Sequence, residues 1–284
     1  MDKISTTVYS TVSIQKVNQK NVVQQTDYLA IEAPLEIRLR FGKGCNRQQK
    51  SIAITMRTPN HDFELAVGFL YTEGILPNKS AIQKIQYLPS DCDLPNTENV
   101  VQVDIAPNIL IDLNRLERHF YTSSSCGVCG KTSIEAIQVQ NFPLLPHYTP
   151  QIPKAIIHQL PKILHNQQTV FNLTGGLHAT ALFNTKGHLI LLREDVGRHN
   201  AMDKLIGVLC LQNQLPFQSG LVLVSGRLSF ELVQKALMVG ISVLVAVGAP
   251  SSLAVDLAVE YGMTLIGFVR NGRYNVYSGA WRLV

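Results

Sequence analysis

Hydrophobic and polar positions in the first half of the chain alternate mostly with a period of two. This alternation predicts half-buried β-strands between residues 27 and 57 and again over residues 100–105. The stretch at residues 62–73 instead places its apolar side chains on one helical face, and Gly74 follows it as a helix terminator. Residues 1–27 alternate only weakly, which predicts either a frayed tail or an edge strand.

The second half of the chain alternates short apolar runs with helical stretches. Continuous apolar strands separated by helices are typical of a parallel or mixed sheet that is covered on both faces. The predicted strands are residues 189–192, 220–224, 241–247 and 264–269, and the predicted helices are residues 200–211, 229–238 and 252–261.

A Pro-rich stretch at residues 142–153 is the candidate linker between the two halves. The patterns together predict an α/β protein in two parts. Residues 1–145 form a smaller N-terminal α+β subdomain that ends in a Cys-x-x-Cys loop and its helix. Residues 146–284 form the larger α/β domain.

Composition and charge narrow the class of protein. Apolar residues make up 46% of the chain and charged residues 16%, which favours a folded protein with a substantial core. The net charge of +5 comes from scattered basic residues, so it favours a polyanionic ligand such as a nucleotide over nucleic acid. The longest apolar stretch, residues 239–249, is too short to span a bilayer, and the N-terminus lacks the apolar region of a signal peptide. We therefore expect a cytoplasmic protein without a membrane partner.

The strongest candidate for reactive chemistry is the pair Cys126 and Cys129, in the Ser- and Gly-rich loop of residues 121–130. A helix is predicted to start near Thr132, and its N-terminus together with Lys131 favours a stabilised thiolate. Five cysteines in the whole chain do not suggest a disulfide framework. A structural zinc site, which needs more ligands, and a thioredoxin-like redox pair, which needs a different fold pattern, stay open as alternatives to a nucleophilic thiol pair.

Candidate anion-binding residues lie next to the predicted strands of the second half. Backbone N–H groups and cationic side chains at the carboxyl ends of strands are suited to phosphate groups. The candidates are Gly175, His178, Arg198, His199, Ser225, Arg227, Arg270 and Arg273. Asp195 could alternatively cap the helix that follows it, with Arg198 as its ion-pair partner, and Lys204 and Lys235 are expected to be solvated. The sequence contains no Gly-x-x-x-x-Gly-Lys-Ser/Thr motif, so we expect no nucleotide hydrolysis.

Six motifs, in order along the chain, resemble those of the formate dehydrogenase accessory sulfurtransferases, the FdhD/NarQ family. The motifs are Glu64-Leu-Ala-Val-Gly-Phe-Leu-x-x-Glu-Gly-Ile75, Ser124-Ser-Cys-Gly-Val-Cys-Gly-Lys131, Thr174-Gly-Gly-Leu-His-Ala-Thr180, Glu194-Asp-Val-Gly-Arg-His-Asn-Ala-x-Asp-Lys-Leu205, Val224-Ser-Gly-Arg-Leu-Ser-Phe-Glu-Leu-Val-Gln-Lys235 and Thr264-Leu-Ile-Gly-Phe-Val-Arg-Asn-Gly-Arg273. The last motif departs from the family, because many members have a Cys or a Lys-Pro where this chain has Val269, Arg270 and Asn271.

The resemblance implies a function, a fold and an assembly. Such proteins accept sulfur as a persulfide from a cysteine desulfurase, and here Cys126 matches the persulfide-bearing cysteine and Cys129 its partner. They pass the sulfur to the molybdenum (or tungsten) bis-molybdopterin guanine dinucleotide cofactor before that cofactor enters formate dehydrogenase. The family's proposed cofactor-binding segment matches Phe268, Val269, Arg270, Asn271, Gly272 and Arg273.

The resemblance further implies a cytidine deaminase-like core for residues 146–284, without a zinc site, and a homodimer. A non-catalytic chaperone that binds the cofactor and a dithiol oxidoreductase are the alternative functions. A deaminase is disfavoured, because Cys126 follows Ser125 where a deaminase has Pro before its Cys-x-x-Cys.

Overall fold

The computed structural model describes residues 8–19, 21–88, 99–109, 111, 142–270 and 272–284. The first described elements are strands β1 (Tyr9–Val17) and β2 (Val22–Ala30), which pair antiparallel along their whole length. Among the described residues this hairpin forms a two-stranded sheet of its own. Over the described residues, the weak alternation of the sequence therefore corresponds to a paired hairpin.

The rest of the first half builds a four-stranded sheet. Its strands are β3 (Ala33–Phe41), β4 (Gln48–Arg57), β5 (Ile82–Tyr87) and β6 (Val100–Ile105), in the order β4-β3-β6-β5. The two central strands, β3 and β6, run parallel, and each edge strand pairs antiparallel with its neighbour. The predicted strands of this half are confirmed, and β6 has the predicted bounds.

The second half builds a mixed sheet of six strands, four of which the sequence pattern predicted as part of a parallel or mixed sheet. Its strands are β7 (His178–Asn184), β8 (Leu189–Asp195), β9 (Gly220–Val224), β10 (Val243–Ala246), β11 (Thr264–Arg270) and β12 (Arg273–Ser278), in the order β12-β11-β10-β9-β7-β8. Strands β9, β10 and β11 are parallel, whereas β7, β8 and β12 each pair antiparallel with a neighbour.

The described helices are α1 (Asp62–Thr72), α2 (Lys154–Ile157), α3 (Leu160–Gln167), α4 (Thr169–Thr174), α5 (Arg198–Leu211), α6 (Phe230–Met238) and α7 (Ser252–Glu260). The structure confirms the four predicted helices of the described residues, with ends within two residues of the prediction. Helices α2 to α4 were not predicted, because each has at most eight residues and is too short to show a helical period. Within the described residues, no helix is long and apolar enough to cross a membrane.

Helix α5 lies between the two sheets. On one side it packs with α6 and α7 against the six-stranded sheet, whose other face is covered by α2 and α3. On its other side it packs against α1, which covers the four-stranded sheet. The mixed α/β architecture therefore consists of stacked layers of sheets and helices, as expected for an α/β protein.

Helices α1 and α5 approach each other more closely than ordinary side chains allow. A Cβ added to Gly68 in α1 would lie 1.8 Å from the Asp203 carbonyl oxygen. A Cβ added to Gly207 in α5 would lie 1.9 Å from the Glu64 carbonyl oxygen. The crossing therefore depends on a glycine in each helix.

A buried ion pair adds to this helix packing. The Lys235 ammonium of α6 lies 2.8 Å from Asp203 Oδ1 of α5 and donates to Thr72 Oγ1 of α1 at 2.8 Å. The expectation that Lys235 is solvated is wrong, because its side chain is buried where three helices meet.

The Pro-rich stretch of residues 142–153 lies against the second half of the protein. The buried Arg282 guanidinium donates to the carbonyl oxygens of Pro146 at 2.6 Å and Thr149 at 3.1 Å. The stretch is therefore tied to the six-stranded part of the fold. The domain boundary at residues 145 and 146 stays a prediction.

Candidate functional site

The loops that follow β8, β9, β10 and β11 meet at one end of the six-stranded sheet, beside the start of β7. We call this end the carboxyl edge and define it by residues 175–178, 195–199, 225–229, 247–251 and 268–273. Helices α5, α6 and α7 all begin there, and the first N–H groups of a helix carry partial positive charge. The structure thus brings the four clusters of candidate residues to one end of the sheet.

Peptide backbone forms the centre of the carboxyl edge. Beyond the strand ends, Gly248 donates a hydrogen bond to the Gly226 oxygen at 3.1 Å, and Phe268 donates to the Gly248 oxygen at 3.0 Å. A Cβ on Gly248 would lie 2.8 Å from the same Gly226 oxygen, so a larger residue does not fit there. Glycine at these positions lets the loops after β9 and β10 pack closely against each other and against His178.

His178 begins β7 and lies over Gly226, where an added Cβ would be 3.3 Å from its Nδ1. Burial lowers the pKa of His178, the positive charge of Arg198 lowers it further, and Asp195 opposes both effects. The imidazole is therefore neutral at physiological pH. Its neighbour Ser225 holds the loop in place, because its Oγ accepts from Ala179 N at 2.9 Å.

Asp195, at the end of β8, is fully buried and organises the start of α5. Its carboxylate accepts from Thr58 N at 3.2 Å, Gly197 N at 2.8 Å and Asn200 Nδ2 at 3.0 Å, and it lies 2.7 Å from Lys204 Nζ. The ion-pair partner of Asp195 is thus Lys204, and the sequence-based assignment to Arg198 is wrong. Lys204 is itself 1% exposed, so the expectation that it is solvated is also wrong.

Arg198 and His199 occupy the first turn of α5 and are half-buried. Arg198 Nε is buried, and it has no hydrogen-bond partner within the described part of the chain. His199 Nε2 lies 3.3 Å from Ser229 Oγ, the residue that precedes α6. His199 therefore connects the beginnings of two helices, while Arg198 keeps a donor group available.

Gly175 follows α4 with a φ of +68°, a conformation that favours glycine, and so turns the chain towards His178. Helix α4 is held at its start by Glu194, whose carboxylate accepts from Val170 N at 3.2 Å and Phe171 N at 2.9 Å. Glu194 therefore fixes the segment that carries Gly175 and His178.

The predicted cofactor-binding segment includes the end of β11, the turn after it and the first residue of β12. Arg270 and Arg273 face each other across this turn and are exposed, as is Arg227 in the loop after β9. The Phe268 ring lies 5.5 Å below the Arg270 guanidinium. The Val269 side chain is buried in the core, so any ligand contact there would use its backbone.

The remaining residue of that turn with a described position is Gly272, whose φ is +72°. Asn271 and both cysteines of the predicted reactive loop, Cys126 and Cys129, lie outside the described residues. Of the other cysteines that the structure describes, Cys45 is exposed and Cys210 is buried. Burial raises the pKa of the Cys210 thiol to about 11, so this thiol stays protonated and unreactive.

Sequence reasoning missed the residues that support the carboxyl edge from beneath. They are Thr58, Glu194 and Lys204. The sequence did contain a signal that Lys204 is buried, because Lys204 shares a helix face with the apolar residues Ala201 and Val208. Nothing in the sequence near Thr58 indicates that it contacts a strand end more than a hundred residues away.

Comparison with known proteins covers nearly the whole chain. The sequence model of the FdhD/NarQ family matches residues 30–284. The sulfur carrier protein FdhD of Streptomyces coelicolor is 49% identical over 92% of this chain and 91% of its own length. The protein of the same name from Saccharolobus solfataricus is 38% identical over 94% of this chain and 95% of its own length.

A solved structure supports the same assignment at the level of the fold. A crystal structure of a candidate formate dehydrogenase accessory protein from Desulfotalea psychrophila has a TM-score of 0.74 to this protein. It covers 98% of this chain and 100% of its own, at 23% identity. From the family match and the identity of its relatives, we conclude that this chain belongs to the FdhD/NarQ family.

Proposed function

We propose that this protein is a sulfur carrier that serves the maturation of formate dehydrogenase. The observation that carries the proposal is its similarity, over 92% or more of its length, to bacterial and archaeal proteins named sulfur carrier protein FdhD. The proposal includes a cytoplasmic homodimer that receives sulfur from a cysteine desulfurase and delivers it for formate dehydrogenase.

Cys126 carries the sulfur in this proposal. Its thiolate attacks the terminal sulfur of a persulfide on the desulfurase, so that a new S–S bond forms while the desulfurase thiolate leaves. Cys129 then attacks the inner sulfur of the Cys126 persulfide. This step forms a Cys126–Cys129 disulfide and releases sulfide to the metal of the acceptor cofactor. A dithiol reductant then restores the two thiols.

The carboxyl edge is the proposed binding surface for the substrate that receives the sulfur, the molybdenum bis-molybdopterin guanine dinucleotide cofactor. Its features suit the phosphate groups of a dinucleotide. The buried Arg198 Nε has a donor to offer, the helices α5, α6 and α7 begin there, and Arg270 and Arg273 supply exposed positive charge. The neutral imidazole of His178 avoids a further buried charge.

Mass spectrometry tests the sulfur-carrying step. After incubation with a cysteine desulfurase and cysteine, we expect Cys126 to gain the mass of one sulfur atom. Cys126→Ala should lose this gain and should fail to activate formate dehydrogenase. The matched control is Cys45→Ala, which removes an exposed thiol and should leave both readouts unchanged.

Other outcomes favour the alternative functions. If Cys126→Ala still activates formate dehydrogenase, the protein is a non-catalytic chaperone for the cofactor. If Cys126 and Cys129 cycle through a disulfide that oxidises or reduces protein substrates, and neither gains sulfur, the protein is a dithiol oxidoreductase.

Binding of guanosine diphosphate tests the proposed surface. By calorimetry we expect the Arg270→Ala/Arg273→Ala variant to bind about tenfold more weakly than the wild type, since it loses two charge-assisted contacts. The control is Lys186→Ala, an exposed residue in the turn at the opposite end of β7. A wild-type protein that does not bind guanosine diphosphate would contradict the assignment of this surface.

A further inference from the structure

The hairpin of β1 and β2 exposes apolar side chains on both of its faces. The strand register places Tyr9, Val17, Val22 and Tyr28 on one face, and Val12, Val23 and Leu29 on the other. Their exposed fractions range from 37% for Tyr9 to 69% for Val17. The two larger sheets also expose single apolar side chains, such as Ile54 and Ile190, but each has a face that is closed by a buried core, which the hairpin lacks.

Such a hairpin is poorly stabilised by its own contacts. A two-stranded sheet is marginal in water without a third strand or a packed face. β2 contacts α4, and Ala30 lies beside Gly176, but eight of the nine side chains of β1 are exposed. An exposed strand of this kind pairs readily with other chains unless it is covered. A hairpin of nine residue pairs with so little packing therefore gains stability when a further surface covers it.

The charge of the hairpin indicates what kind of molecule this is. Its two strands contain one basic residue, Lys16, and one acidic residue, Asp27, so they carry no net charge. The protein as a whole carries +5. A partner attracted by charge would therefore bind elsewhere, and the hairpin suits an apolar, self-complementary contact.

The apolar side chains of the hairpin need to stay covered, and this requirement indicates which molecule binds there. A cysteine desulfurase or an acceptor enzyme must leave after each transfer, and its departure would expose the apolar strands again. A second copy of this chain can stay bound, and homodimer interfaces are more apolar than transient ones. We propose that the β1–β2 hairpin is an arm that clasps a second copy of the chain; this rests on the homodimer of the proposed function.

The size of the arm agrees with this assignment. Strands of nine residues are about 30 Å long and two of them span about 10 Å, so each face covers about 300 Å². Two arms that each bury one face cover about 600 Å² and bury an equal area of the partner, so the total of about 1,200 Å² reaches the lower limit for a stable specific interface. Arms that are buried on both faces double this area to about 2,400 Å², which is in the range of stable homodimers.

Sedimentation equilibrium tests the arm. We expect the wild type to be a dimer and Val12→Lys/Val23→Lys, which places two charges on one face of the hairpin, to dissociate at least a hundredfold more readily. The matched control is Gln48→Lys/Gln49→Lys, which adds the same charge to exposed positions of β4 and should leave the dimer intact. A monomeric wild type, or a hairpin variant that dimerises like the wild type, would overturn the proposal.

Hydrogen exchange of the wild type gives a second readout if the hairpin variant is insoluble. Protection of the amides in β1 and β2 should rise with protein concentration as the dimer forms. Protection that is the same at all protein concentrations would overturn the proposal that the hairpin clasps a second copy. Because neither experiment measures sulfur, a failure of the arm is distinguishable from a failure of Cys126 to carry persulfide.

Discussion

Single residues hold the carboxyl edge in shape, and Asp195 and Lys204 contribute most directly. Both side chains are almost fully buried, and their charges compensate each other at 2.7 Å. Removing one partner leaves the other charged and buried. We therefore expect Lys204→Met to lower the free energy of unfolding by about 3–5 kcal/mol.

Urea denaturation at neutral pH measures this loss. The control is Lys162→Met in α3, where the lysine is exposed and the change should stay within about 0.5 kcal/mol. A Lys204→Met variant as stable as the control would show that the pair contributes nothing to the fold.

The lowered pKa of His178 predicts that the stability of the folded protein depends on pH. Its pKa is below the ordinary value of 6.5 in the folded protein, so the unfolded chain binds the proton more readily. The stabilisation by neutral His178 is therefore present above pH 6.5 and is lost as the pH falls through and below that value. We expect His178→Gln to flatten this part of the stability profile. Denaturation of both proteins over a pH series checks it, and identical slopes would contradict it.

At this scale the sequence indicated which residues reach the carboxyl edge but not what each one does. Arg198, His199 and Ser225 lie where the motif positions suggested. Lys204 and Lys235 were misjudged, because a lysine is ordinarily solvated and its buried carboxylate partner is recognisable only in three dimensions.

At the scale of helices and strands, the close crossing of α1 and α5 predicts a clear loss of stability when one of its glycines is replaced. Replacing Gly by Ala inside a helix normally stabilises it by up to about 1 kcal/mol. At Gly68 the added Cβ would meet backbone at 1.8 Å, so the two helices must move apart. We expect Gly68→Ala to destabilise the protein by about 3 kcal/mol, in urea denaturation monitored by circular dichroism. A variant of equal or higher stability would show that the helices separate without cost.

Elements with a clear burial pattern were the easiest to predict. β6 and β9 have the predicted bounds, because β9 is apolar throughout and β6 alternates apolar with polar residues. The alternation of β6 predicted a half-buried strand, whereas its polar residues Gln102 and Asp104 are buried as well. β1 and β2 gave only a weak signal, since neither face of the hairpin is buried in this chain. Helices α2 to α4 are short, and α3 begins at Leu160 directly before a proline.

At the scale of the whole molecule, the two sheets are joined through shared helices and buried ion pairs. Arg193 of β8 binds Glu64 of α1, and Lys235 links α6 to α5. We therefore expect both sheets to unfold in one cooperative transition. Hydrogen exchange of β3 and β9 amides in increasing urea should give the same free energy of opening for both. A clearly lower value for β3 would indicate that the four-stranded sheet unfolds alone.

The position of α5 between the two sheets also affects how such a protein can change over evolution. A helix buried on both sides has two sets of neighbours, one contributed by each half of the chain. If two relatives recombined near the Pro-rich stretch, α1 would come from one parent and α5 from the other. Their glycine crossing and their ion pairs would then be mismatched. The two halves should therefore have been inherited together, and hybrid proteins should work best when α1 and α5 share a parent.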